Sequence, residues 1–148
     1  MSPRRLATPV LMAVLLLVVP GCGSEEKGYC DALESDQQLF AEMQEDTSGL
    51  GLLEHRKTLR ALAQKAPDDL TDEWQTLLGA LDAFAGTLDE VGVEPGDFVG
   101  GQPPETLSPE DRTRIANAAS ELSSTDVVEA ADGIEQHAKD VCKLQLGL

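Results

Sequence analysis

Aromatic side chains are scarce in this 148-residue chain, which holds one Trp, one Tyr and three Phe. Isoleucine occurs only at Ile115 and Ile134, and short alternating runs of β-branched residues are missing. Strands draw on those residue types, so their scarcity argues against a sheet. Histidine is limited to His55 and His137, and cysteine to Cys22, Cys30 and Cys142. A metal centre needs three or four converging ligands, and no His-x-x-x-His or Glu-x-x-His pair supplies them, so neither metal nor cofactor is expected. The calcium-loop pattern is missing from the acidic clusters as well. No Gly-x-Ser-x-Gly elbow and no Walker-type glycine loop occurs, which leaves hydrolytic or nucleotide-dependent catalysis without its usual machinery. A non-enzymatic protein is expected. Basic residues are also few, 11 against 27 acidic ones, for a formal charge of −16. Phosphate backbones demand basic patches, so nucleic acid is not an expected partner.

What is present begins with the first 21 residues. Arg4 and Arg5 precede an apolar run from Leu6 to Val19, broken only by Thr8 and Pro9. Charge, apolar core and a small residue before a cut mark an export signal. The run is short for a spanning helix, which needs roughly 20 apolar residues. The run ends in Val19-Pro20-Gly21-Cys22, which resembles the lipobox of bacterial lipoproteins. That resemblance implies cleavage after Gly21 and a diacylglyceryl group on the Cys22 thiol. Two acyl chains on one residue supply the paired hydrophobic signals that stable anchoring requires. Cleavage would remove two arginines and no acidic residue, leaving 9 basic against 27 acidic groups, a formal charge of −18. Such a charge is repelled by an anionic membrane surface, so the acyl chains would have to hold the protein there. The expected location is the extracytoplasmic face of the cell membrane, with the lipid anchor as the membrane contact.

With Cys22 assigned to lipid, Cys30 and Cys142 remain. Two thiols in an exported, oxidising compartment are expected to pair. The loop they close covers nearly the whole domain, for which the chain-entropy model gives a stabilisation on the order of 4–5 kcal/mol.

From Cys30 onward the pattern is helical. Leu70, Trp74, Leu77, Leu81, Phe84, Leu88 and Val91 alternate spacings of four and three, which puts them on one stripe of a helix. Pro67 with Asp68, Asp69, Asp72 and Glu73 marks its start, and Gly92 its stop. An earlier helix is expected over Tyr29–Glu45, with Cys30, Leu33, Phe40 and Met43 inward, and another over Leu50–Ala66. Ser108-Pro109-Glu110-Asp111 reads as an N-cap with Pro at the first helical position. A last helix starts near Thr125 with Val127, Ala131, Ile134, Ala138 and Val141 inward. The expected fold is all-α, a four- to five-helix bundle with one long crossover loop, closed by a disulfide between its first and last helices. Residues 1–21 form the signal, 22–28 a polar tether and 29–148 the bundle. The Gly- and Pro-rich segment 92–107 could return Cys142 to the pole of Cys30 by crossing the bundle. Alternatively, the helix after Ser108 lies across one end.

Contact surfaces are less sharply written. Arg56, Lys57, Arg60 and Lys65 gather on the second helix of an acidic domain, either as a partner-facing patch or as internal charge balance. Phe98, in the long 92–107 segment, is a candidate for docking on the bundle or on a partner. Tyr29-Cys30-Asp31, Ala66-Pro67-Asp68-Asp69-Leu70 and Cys142, together with the lipobox, resemble features of small secreted lipoproteins of high-GC Gram-positive bacteria. That class carries over no catalytic or binding residue. The expected function is a non-enzymatic helical interaction module of the cell envelope, contacting an envelope protein. The alternative is a small-solute-binding lipoprotein with a cavity inside the bundle.

Overall fold

The computed structural model describes residues 23–46 and 50–148; residues 1–21, expected as an export signal, and Cys22, the expected lipid site, lie outside the described residues. Among the described residues there are seven α-helices: α1 (Gly23–Ser35), α2 (Gln37–Glu45), α3 (Gly51–Glu54), α4 (Arg56–Ala63), α5 (Thr71–Val91), α6 (Pro109–Leu122) and α7 (Thr125–His137). Short 3-10 turns cover Asp68–Leu70 and Pro95–Asp97, and a π-helical turn covers Ala138–Cys142. The only β pairing among them is one isolated bridge, Val99 with Gln102.

The apolar stripe builds the spine. Of its seven members, Leu70, Trp74, Leu77, Leu81, Phe84 and Leu88 are buried and Val91 is half-buried. Gly92 ends α5 with a φ of 70°, a left-handed conformation that glycine adopts without the penalty a Cβ imposes. At α6, the Ser108 hydroxyl accepts the Asp111 N–H at 3.1 Å, and Pro109 occupies the first turn.

Helices α6 and α7 pack against α5 one after the other. Arg114 of α6 pairs with Glu90, near the end of α5. Leu122, at the end of α6, shares a hollow with Phe84 and Leu81. Farther along, Gly133 of α7 faces Glu73, and His137 packs on Tyr29 beside Trp74. The partners on α5 thus descend from 90 to 73 while the residues of α6 and α7 ascend, so both run antiparallel to α5, joined by the short break at Ser123–Ser124. The 92–107 segment therefore does not cross the bundle, nor does α6 lie across one end. It stays at the far end of α5, with Val93 buried and Phe98 and Leu107 packed on the cluster formed by Phe84, Leu88 and Ile115. Two short helices in series do the work assigned to a crossover, and they bring Cys142 back to Cys30. The two sulfurs are bonded, with Cα atoms 5.1 Å apart.

The count of seven exceeds the four or five expected because two rods are broken, at Asp36 and at His55. Residues Gly23–Gly28, expected as a tether, are the largely exposed opening turns of α1. Glu25 and Glu26 suit the positive end of its dipole, and Lys27 pairs with Asp31 one turn on at 2.6 Å. Val141, expected inward, is exposed. The π-helical turn holds an extra residue, so the position that follows Ala138 on the inner face is Cys142 instead of Val141.

Beyond the π turn the chain reverses at Lys143, with φ 61°, and folds back over the bundle. Leu146 is fully buried there. The Glu135 carboxylate accepts the N–H groups of Leu146 at 3.0 Å and Gly147 at 2.8 Å, while Gln44 Nε2 donates to the Leu146 carbonyl at 3.0 Å. Hydrogen bonds to an ionised acceptor contribute about 1.5–3 kcal/mol. Glu135→Ala is therefore expected to cost about 1–3 kcal/mol and to accelerate amide exchange at Leu146 and Gly147. Unchanged exchange at those two amides would mean that Leu146 is held by burial alone.

Candidate functional site

The core divides into two clusters along α5. One surrounds Tyr29, Leu33, Phe40, Trp74 and Ile134, and the other surrounds Leu53, Phe84, Leu88 and Ile115. A hollow of about 230 Å³ opens where they meet. Its floor is made of the buried side chains of Leu50, Leu53, Leu77, Leu81, Phe84 and Val127, supplied by α3, α5 and α7 with the residue before α3. Its rim carries Leu52, Leu122, Ala131 and Leu148, which are half-buried, and Val128 and Asp132, which are exposed. Asp132 has the single charged side chain of the lining, and it has no ion-pair partner among the described residues. The site exists because α6 ends at Leu122 and α7 restarts at Thr125. At that break the helical wall facing the middle of α5 lacks a continuous row of side chains.

A second hollow lies across the wall formed by Leu50, Phe84 and Leu122. Phe98 lines it, roofed by the turn at Gly101–Pro103. Arg112 secures that roof by donating to the backbone carbonyls of Glu105 and Leu107. Phe98 thus packs on its own domain, and Val99 beside it stands 80% exposed.

Of the basic residues singled out in the sequence, Arg56 and Arg60 converge on one carboxylate. Arg60 donates to both oxygens of Asp82, at 2.7 and 2.6 Å, and Arg56 lies 3.3 Å from it. That is charge balance between α4 and α5. Lys57 points to solvent, and Phe98 lies apart from all three in the second hollow. The histidines are placed differently again. His55 sits at the break between α3 and α4, half-buried, whereas His137 stacks at a tilt on Tyr29 with ring centroids 5.9 Å apart. Among the described residues no group of three or more His, Cys, Asp or Glu is arranged to hold a metal ion.

Around Tyr29 the polar chemistry is buried. Trp74 Nε1 donates to the Tyr29 hydroxyl at 3.1 Å, linking α5 to α1. Nearby, Glu73 Oε2 and His137 Nε2 are buried without a hydrogen-bond partner. Gly133 explains how Glu73 fits, because a Cβ at that position would stand 3.1 Å from Glu73 Cγ. Burial pushes the Tyr29 phenol up to about 12, slightly opposed by the hydrogen bond from Trp74. Tyr29 is the only tyrosine, so phenolate absorbance reports it alone. The folded protein should titrate near 12, and the urea-unfolded chain near the ordinary value of about 10. The raised value stabilises the fold while the phenol is neutral. That contribution is complete below pH about 10 and is lost as pH climbs from about 10 to 12, for a total on the order of 3 kcal/mol. Tyr29→Phe should remove this alkaline dependence from the urea midpoint.

Of the hollow's lining, Leu77, Leu81, Phe84 and Val127 are recognisable in the sequence as inward stripe residues, whereas Leu53, Val128, Asp132 and Leu148 are not. Helical spacing to His55, Leu59, Leu62 and Ala66 points to Leu52 as the inward residue, whereas the break at His55 turns its neighbour Leu53 into the core and leaves Leu52 and His55 half-buried. No protein-family model, no curated protein and no solved structure matches the chain.

Proposed function

We propose that the chain is an extracytoplasmic lipoprotein, held to the cell membrane through Cys22, whose helical domain works by binding and not by catalysis. The observation that carries this reading is the Cys30–Cys142 bond. A disulfide closing a whole domain belongs to an oxidising compartment, where an export signal would deliver it. Helix α1 begins at Gly23, immediately after the lipid-bearing position, and reaches the disulfide in under two turns. A bundle of four to five rods, closed by that bond between first and last, would then hold its bonded pole close to the membrane. The 92–107 segment, at the far end of α5, would face away from it.

The test is the intact mass of protein extracted from membranes, with and without reduction and alkylation. A mass of residues 22–148 plus acyl groups, with two alkylatable thiols appearing only after reduction, is the expected result. Retention of residues 1–21, or recovery of the unacylated chain from the soluble fraction, would overturn the anchor.

Two kinds of binding are consistent with this placement. An interaction module would use exposed features such as Lys57 and the Val99 turn, and in-cell crosslinking should then capture one reproducible envelope protein. The 230 Å³ hollow favours a second reading, a small-solute-binding lipoprotein. Ligand sites are concave and mostly apolar, with a few placed polar groups, and this hollow has that composition.

A further inference from the structure

We propose that the hollow between α3, α5 and α7 takes a small apolar molecule bearing a cationic head group, with Asp132 receiving the head. This inference rests on the solute-binding reading above and names the ligand class for that site.

Size comes first. An apolar cavity of about 150 Å³ stays dry and admits benzene. The hollow here is about 230 Å³, enough for a medium alkyl chain or a small ring system, and too small for a long acyl chain or a polar metabolite with its water. Its floor offers no hydrogen-bonding side chain, since every floor residue is Leu, Phe or Val. A polar ligand buried there would lose its hydrogen bonds to water without replacement. The body of the ligand must therefore be hydrocarbon.

The head group follows from the rim. Asp132 carries the one ionisable side chain in the lining, it is exposed, and no cation among the described residues neutralises it. Asp126 and Glu129 lie on the same helix one to two turns away, and no Lys or Arg occurs between Asp126 and Gln136. The mouth is thus negative, within a chain whose formal charge is −16. An ammonium is drawn to such a mouth, a neutral hydroxyl is tolerated, and a carboxylate is repelled. Free fatty acids, the commonest small apolar anions, are the class this rim rejects.

Octylammonium, octanol and octanoate share one chain and differ only in the head, so they separate body from head. By titration calorimetry on the disulfide-bonded protein, octylammonium should bind saturably and more tightly than octanol by about three- to fivefold, with octanoate weaker than both. Asp132→Asn should reduce octylammonium to the level of octanol while leaving octanol unchanged. Ala131→Phe, which fills the mouth from the rim, should abolish binding of all three. Because Asp132 is exposed, Asp132→Asn provides a readable result even where Ala131→Phe disturbs folding.

Equal affinity for the three heads, or octylammonium binding that survives Asp132→Asn, overturns the assignment of the head and leaves the solute-binding reading intact. Octylammonium binding undiminished in a folded Ala131→Phe variant places the ligand elsewhere on the acidic surface and overturns the site. Absence of saturable binding by octanol and octylammonium alike removes both the inference and the solute-binding reading.

Discussion

Replacing Cys142 with serine should lower the stability of the domain by about 4–5 kcal/mol, the largest effect expected from any single change outside the core. The bonded cysteines are 112 residues apart in sequence. Breaking the bond returns to the unfolded chain the freedom that a loop of that length had lost. Domains of this size are stable by about 5–15 kcal/mol, so the loss consumes a large share of the total. Reduced wild-type protein and the Cys142→Ser variant should show the same urea midpoint, and reductant should not move the variant further. Cys30→Ser should reproduce it, and the double variant should add nothing, because one bond is lost in all three. A loss below about 1 kcal/mol would mean that the denatured ensemble already keeps the two ends together. The fold supplies a candidate cause. The Leu146 segment, tied to Gln44 of α2, and the Tyr29–Trp74–His137 contacts also join the last part of the chain to its first helices.

How much of this was legible depended on whether a feature is local. The α5 stripe was legible because seven apolar residues at helical spacing leave one way to bury them, and six are buried. The start of α6 was legible for the same reason, since Ser108 and Pro109 act within a single turn. The disulfide could be read from residue counting and compartment chemistry. The break at His55 could not, because it follows neither Pro nor Gly and arises where α3 turns to pack Leu53 against Phe84 and Leu88. Likewise the π turn has no composition of its own. It is the register that allows Cys142 to meet Cys30 while Ala138 stays buried. The serial arrangement of α6 and α7 was not legible, because the sequence suggested either a crossover through segment 92–107 or α6 lying across one end, and nothing at Ser123–Ser124 marks a continuation. Helices α6 and α7, of 14 and 13 residues, run in series along the 21 residues of α5. The candidate site was least legible of all, since a hollow is set by where side chains from four elements fail to meet. Asp132 looked like one more solvated carboxylate among 27 acidic residues. Only its place on the rim of an apolar cavity distinguishes it.

Trp74→Ala is the second large effect, expected to cost about 3–5 kcal/mol, as for buried large aromatic side chains generally. The indole is the largest fully buried side chain and lies in the same cluster as Tyr29, Leu59 and Ile134. Two components can be separated, because the indole both fills volume and donates to the Tyr29 hydroxyl at 3.1 Å. Tyr29→Phe keeps the volume and leaves Nε1–H buried without an acceptor, which should cost about 1–3 kcal/mol. Trp74→Phe removes the donor and part of the volume, and should fall between that value and the alanine variant. In the Trp74→Phe and Tyr29→Phe double variant neither polar group remains to be satisfied, so the summed single losses should exceed the double loss by about 0.5–3 kcal/mol. An additive cycle would show that the contact contributes nothing beyond packing. A coupled one would make the Tyr29–Trp74 pair the polar clasp that holds α1 against the central helix. Rigidity in α1 would then follow from one hydrogen bond and one disulfide placed within two residues of each other.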